Sequence, residues 1–146
     1  MQSSQPTYVD RRSPEEQQAG LATQILFWYD FDRKNRRRIN GVAITTEGHI
    51  AVATATCSLH DNFNKARGRM IVSKRLMGRA ANYACVLIPR VETYHLDDFP
   101  QIASDTYLEE FPDNDKGARM VYNAARIYTA YKTDLIRQAN EILDNF

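Results

Sequence analysis

Alternation of apolar and polar side chains marks the first half of the chain as a series of β-strands. Residues 23–32 and 37–46 contain apolar, aromatic and β-branched positions, and residues 49–57 alternate between small and β-branched side chains. Short polar connections separate the three segments, and the second connection contains Glu47 and Gly48, a tight-turn signal. The pattern predicts an antiparallel meander of three strands.

A helical period replaces this alternation directly after the third strand. Ser58 or Asp61 can cap a helix that covers residues 61–79 and continues towards residue 84. Six apolar side chains fall within about 60° of one another at about 100° per residue: Phe63, Ala66, Met70, Met77, Ala81 and Ala84. We expect this stripe to face the core, against the alanine-rich face of the third strand.

Shorter and longer elements fill the remainder of the chain. Residues 85–88 are a short apolar strand, residues 105–110 are a short helix in an acidic stretch, and Asp115 can cap a long helix over 116–144. The order of elements predicts an α+β fold. We expect an antiparallel sheet of three to four strands, with the basic helix and the long C-terminal helix packed on one face.

Length and composition fit a single globular domain. The chain has 146 residues, of which 43% are hydrophobic and 25% are charged. We expect residues 1–20 to form a polar N-terminal tail, with at most a short helix after Ser13, and residues 21–146 to form the domain.

Targeting signals and metal-binding motifs are missing from the sequence. There is no run of about 18 apolar residues that would cross a bilayer, and the N-terminus lacks the apolar centre of a secretory signal. Cys57 and Cys85 fit free thiols in a reducing compartment. The free thiols lead us to expect a cytoplasmic protein. Because Cys57 and His60 form only a half-site, we expect no metal site, and we expect no cofactor.

Charge is unevenly distributed, although the formal net charge is only +1. Residues 33–90 contain twelve Lys and Arg against two acids, whereas residues 91–115 contain eight acids and no Lys or Arg. This split predicts an anionic partner for the basic block. The alternative is that the two blocks pair with each other, within a monomer or between subunits.

The polar face of the basic helix is the strongest candidate site. Five residues lie within about 60° of one another, opposite the apolar stripe: Asp61, Asn64, Gly68, Arg75 and Arg79. Arg75 and Arg79 are one turn apart, so their guanidinium groups can converge on a phosphate or carboxylate. Asn64 and Asp61 can contact a base or ribose, and Arg69 can assist.

Gly68 adds to this hypothesis because glycine costs about 1 kcal/mol relative to alanine inside a helix. That cost is tolerated where a ligand must approach the backbone closely. Two alternatives remain open: the face is simply solvated, or Gly68 and Gly78 permit close helix–helix packing, including across a dimer interface.

Residues 33–38 form a second basic site in the turn between the first two strands. We expect Arg36, Arg37 and Arg38 to act as auxiliary phosphate contacts, because such a cluster engages phosphates without reading sequence. The alternative is a solubilising turn.

The final helix carries Tyr122 and Arg126 one turn apart, a combination typical of binding or subunit interfaces. The alternative is that its tyrosines complete the core with their hydroxyls at the rim. The chain contains no P-loop, no GxSxG and no GxGxxG, so an enzyme is the least supported class.

Residues 61–65 (DNFNK), followed by Gly68, Arg69 and Arg75, resemble a pattern in short proteins of phages and mobile elements. The resemblance covers residues 51–79. Small phage proteins of this build include the Thoeris anti-defence sponges. The resemblance implies an antiparallel sheet with helices in an oligomer, and sequestration of a cyclic nucleotide or ADP-ribose-type signal in the host cytosol.

Three functions follow from these features. The first is a non-enzymatic binder of a small phosphorylated ligand, acting as a homo-oligomer. The second is a nucleic-acid-binding protein that uses the hairpin 33–38 and the helix 61–79. The third is an inhibitor that acts by protein–protein contact, with the acidic stretch 92–115 imitating an anionic surface.

Overall fold

The structure is a computed structural model that describes residues 8–58, 62, 64–79, 85–86 and 94–145. Its elements in chain order are α1 (Pro14–Gln18), β1 (Leu26–Phe31), β2 (Arg37–Ile44), β3 (Ile50–Thr56), α2 (Lys65–Arg79), β4 (Cys85–Val86), a 3₁₀ turn (Leu96–Asp98), α3 (Phe99–Glu110) and α4 (Asp115–Asp144). The four strands form one antiparallel sheet in the order β1-β2-β3-β4. The predicted α+β class is confirmed.

Helix starts differ from the prediction at three places. Asn64 caps α2, since its side-chain oxygen accepts from the Arg67 N–H at 3.0 Å. Asn114 caps α4, because its oxygen accepts from the Gly117 N–H at 2.9 Å, where Asp115 was predicted. Helix α3 begins before residue 105 because Pro100 lies in its first turn, where a missing N–H costs nothing.

Helices cover both faces of the sheet, so the prediction that they pack on one face is wrong. Helix α2 packs on the face that carries Ala51 and Ala53. Helices α3 and α4 pack on the other face, which carries Ile50 and Val52. Strand β3 is buried on both sides because both of its alternating sets are apolar, and each set therefore needs its own helical cover.

The predicted core-facing stripe of α2 is wrong at Ala66 and Met70, which are exposed, whereas Met77 is half-buried against the core. Met70 is 51% exposed, and the buried residues of the helix are Gly68, Val72 and Leu76. Counted at about 100° per residue, the helix is turned by roughly 150° from the prediction. Glycine contributes no apolar side chain to the periodicity, so the face that contacts the sheet reads as polar in the sequence. Phe63, Ala81 and Ala84 lie outside the described residues.

Residues 8–20, which belong to the predicted polar tail, contact the domain. Helix α1 starts with a capping box between Ser13 and Glu16. The second carboxylate oxygen of Glu16 accepts from the Ile25 N–H at 2.7 Å, which ties α1 to the chain just before β1.

Candidate functional site

A groove of about 510 Å³ lies at the N-terminal end of α2. Its walls come from one residue of β2, the end of β3, the segment after it and the first two turns of α2: Ile39, Ala55, Thr56, Cys57, Ser58, Asn62, Asn64, Arg67, Gly68 and Ile71. The groove therefore lies beside the connection between β3 and α2. Two residues of the predicted ligand set, Asn64 and Gly68, line it.

The electrostatics of this groove favour an anion. The N-terminal end of a helix carries about half a positive charge, and its first N–H groups have no partner within the helix. Arg67, which is exposed, adds a full positive charge in that first turn. None of the ten lining residues is an acid. Among the described residues, Arg67 is the charged group that a ligand meets there, and its charge attracts an anion.

Asn64 has two roles at this end of the helix. Its carbonyl oxygen is committed to the cap, so its NH₂ group is the part that can contact a ligand. The main-chain oxygen of Asn64 accepts from the Gly68 N–H at 3.0 Å.

Lys65, the next residue, also holds this turn in place. Its ammonium lies 4.6 Å from the ring centroid of Tyr29 on β1. These contacts fix the first turn of α2 against β1.

Gly68 lines the groove, but its backbone is not a bare patch. The residue is buried against the sheet, and a Cβ at this position would overlap Cδ1 of Ile39. Gly68 therefore permits close packing of α2 on the sheet, and not the helix–helix packing that was the alternative use of this glycine. Gly78 differs, because a Cβ there would meet nothing within 4 Å.

Arg75 does not project away from the sheet as predicted. Its guanidinium donates to the main-chain oxygen of Thr54 on β3, and the residue is half-buried. Arg69 is exposed and is not among the residues that line the groove. Asp61 and the side chain of Arg79 lie outside what the structure describes. The proposed convergence of Arg75 and Arg79 therefore has no support.

Arg67 is the residue that sequence reasoning missed. It lies three positions after Asn64, so identifying Asn64 as the cap would have placed it in the first helical turn. That signal is present in the sequence, but Asp61 and Ser58 are equally good capping types and competed with it.

The hairpin between β1 and β2 neutralises part of its own charge. Asp32 pairs with Arg36 at 2.7 Å, and Asp30 pairs with Arg38 at 2.6 Å. A backbone hydrogen bond from the Arg36 N–H is the main cause that holds the pKa of Asp32 below its usual value. Two of the three predicted auxiliary arginines are thus already paired, and Arg37 is exposed. The hairpin offers phosphate fewer cations than the sequence count suggests.

Within the described ranges, no group of three or more His, Cys, Asp and Glu is placed to hold a metal ion. Among the helices that the structure describes, none is long and apolar enough to cross a membrane. No protein-family model matches the chain, and no curated protein or solved structure is significantly similar to it.

Proposed function

We propose that this chain is a non-enzymatic binding protein for a small phosphorylated ligand of the nucleotide class. The observation that carries the proposal is the groove at the positive end of α2, which Arg67 lines and to which the described residues contribute no acid. Its volume of about 510 Å³ falls in the range of about 300–1,000 Å³ typical of small-molecule sites.

Each part of the groove has a role in this proposal. The guanidinium of Arg67 and the positive end of the α2 dipole hold a phosphate, because both contribute positive charge at the groove. The amide of Asn62 and the NH₂ group of Asn64 contact the base or ribose, since both present hydrogen-bonding groups to the groove. Sequestration of a signal needs only this binding, which agrees with the role implied by the resemblance to anti-defence sponges.

We propose that the chain binds its ligand as a homo-oligomer. The groove lies at the surface, and a bound nucleotide gains affinity when a neighbouring subunit encloses it. The second half of α4 leaves four apolar side chains exposed: Leu135, Ile136, Ile142 and Leu143. This surface offers a route to self-association.

Native mass spectrometry tests the ligand class. The purified protein is measured alone, and then with ADP-ribose, with cyclic mononucleotides and dinucleotides, with AMP, and with a short DNA duplex. The proposal predicts stoichiometric retention of at least one nucleotide. Retention of the duplex alone would replace the proposal with the nucleic-acid function, and retention of neither would make a protein partner the leading hypothesis.

A further inference from the structure

A second groove lies between residues 8–12 and α4. Its volume is about 520 Å³, and nine residues line it: Tyr8, Val9, Arg11, Arg12, Gln24, Asn123, Arg126, Ile127 and Ala130. Helix α4 covers the sheet face opposite to α2, so this groove is separate from the one at the N-terminus of α2. The inference below does not depend on the proposed function.

The outer wall of this groove is held in place by a clamp. Two nitrogens of Arg12 donate to the carboxylate of Asp10, at 2.9 and 2.8 Å, and a third donates to the Leu21 oxygen at 3.0 Å. The guanidinium lies 5.3 Å from the ring centroid of Tyr131 on α4, and the ring of Tyr8 packs edge-on against that tyrosine at 5.9 Å. These contacts hold the outer wall of the groove against α4, which favours binding because that wall needs no ordering when a ligand enters.

Two of the three arginines at this groove are not neutralised. The charge of Arg12 is balanced by Asp10, whose pKa is held at about 2 chiefly by the hydrogen bonds from Arg12. Arg11 and Arg126 are exposed, and neither forms an ion pair or a side-chain hydrogen bond with any residue that the structure describes. None of the nine lining residues is an acid. Two guanidinium groups without an ion-pair partner among the described residues therefore border one groove, and each can donate to an anion.

The remaining lining residues define the body of the ligand. Gln24 and Asn123 supply amides, whereas Val9, Ile127 and Ala130 supply apolar surface. This composition matches a molecule with one anionic group and an apolar body. The groove also continues past Tyr8 and Arg126, which it shares with a neighbouring groove of about 690 Å³ along α4.

We propose that the groove between residues 8–12 and α4 binds a small amphipathic anion, a phosphate or carboxylate on an aromatic or aliphatic body. Arg11 and Arg126 hold the anionic group, and the apolar residues of α4 contact the body. Tyr122, which lines the neighbouring groove, extends the same surface for longer ligands.

The test uses phenyl phosphate and benzoate as anionic probes and benzyl alcohol as their neutral counterpart. The probes are titrated into nitrogen-15-labelled full-length protein, and backbone amide shifts are followed by NMR. We expect saturable shifts at Gln24, Arg126 and Ile127 with at least one anion and none with the alcohol. The stronger of the two anions identifies the head group.

Two variants of the same helix decide whether Arg126 is responsible. Arg126→Gln should weaken binding at least about tenfold, the typical loss when one charge-assisted hydrogen bond is removed. Arg119→Gln, an exposed arginine of α4 that lines neither groove, should leave the affinity unchanged. Should Arg126→Gln lose its native spectrum, Arg11→Gln serves the same purpose. No saturable shift with either anion, equal binding of the alcohol, or unchanged affinity in the variant would overturn the proposal.

Discussion

At the residue scale, the two glycines of α2 have opposite surroundings. A Cβ at Gly68 would overlap Ile39, so Gly68→Ala should lower the free energy of unfolding. Overpacking costs about 1–3 kcal/mol, and the gain in helix propensity returns only about 1 kcal/mol. Gly78→Ala meets open space and should be neutral or stabilising by up to about 1 kcal/mol. Urea unfolding of both variants measures the difference.

Ile39→Val provides the decisive control for this prediction, because it removes the Cδ1 atom that a Cβ at Gly68 would overlap. In the Ile39→Val background, Gly68→Ala should cost less than in the wild-type background, and the two changes should therefore be non-additive. Equal costs in both backgrounds would show that contact with Ile39 is not the reason for this glycine.

A second residue-scale prediction concerns Tyr107 at high pH. Burial is the main cause that raises its pKa to about 12, and its oxygen also accepts from Asn114 at 2.9 Å. In the unfolded chain the Tyr107 hydroxyl loses its proton near the ordinary pKa of 10.0. In the folded protein it keeps that proton until the pH reaches about 12. Stability should therefore fall as pH rises between these values. Phenolate absorbance should show a late step that Tyr107→Phe removes; an unchanged titration would contradict the assignment.

At the element scale, the clamp between residues 8–12 and α4 makes a prediction of its own. Asp10→Asn removes the charge that Arg12 contacts, so amide hydrogen exchange at Arg12, whose N–H donates to Asp10 at 3.0 Å, should become faster. Asp134→Asn changes an acid paired with Arg137 within α4 and should leave this amide unaffected. Unchanged exchange in Asp10→Asn would show that the clamp does not hold the segment.

The clamp should also respond to acid in a defined direction. The pKa of Asp10 is lowered from 3.8 to about 2 by the hydrogen bonds from Arg12. Its stabilising contribution is therefore complete above pH 3.8 and is lost as pH falls through about 2. Exchange at the Arg12 amide, corrected for the intrinsic pH dependence of exchange, should report this transition in wild type and not in Asp10→Asn.

Strand positions could be predicted from the sequence, because the apolar, aromatic and β-branched residues of β1, β2 and β3 are a local signal. The orientation of α2 could not. Its contact face depends on Gly68, which lacks a side chain, and on Arg75, which reads as a solvent residue but bonds to Thr54. The ion pairs of the hairpin were missed because the two acids that form them precede the basic run. Asp30 reaches Arg38 across β1 and β2, and Asp32 reaches Arg36 within the turn.

The candidate site was predictable only in part. Asn64 was identified for its polarity and lines the groove, whereas the importance of Arg67 depends on which of several possible caps starts the helix. The groove along α4 depends on the docking of residues 8–12, a long-range contact with no periodic signal in a short polar segment.

At the scale of the whole molecule, α4 is longer than the surface it covers. Its 30 residues span about 45 Å, yet its buried residues end at Tyr128. Leu143 is 68% exposed, and its apolar neighbours continue the same surface. If a second copy covers this surface, sedimentation velocity should show a dimer or larger species. Ile142→Asp with Leu143→Asp should shift it towards monomer without loss of native fold; a monomer in wild type at all concentrations would contradict self-association.

We propose that the N-terminal end of α2 binds a phosphorylated ligand. Isothermal titration calorimetry of two matched variants tests this binding most directly. Arg67 lines the groove, whereas Arg69 lies on the same helix, is equally charged and does not. With ADP-ribose, or the nucleotide that native mass spectrometry retains, Arg67→Ala should weaken binding at least about tenfold. Arg69→Ala should leave it nearly unchanged. Equal losses in both variants, or no loss in either, would contradict the assignment of the site.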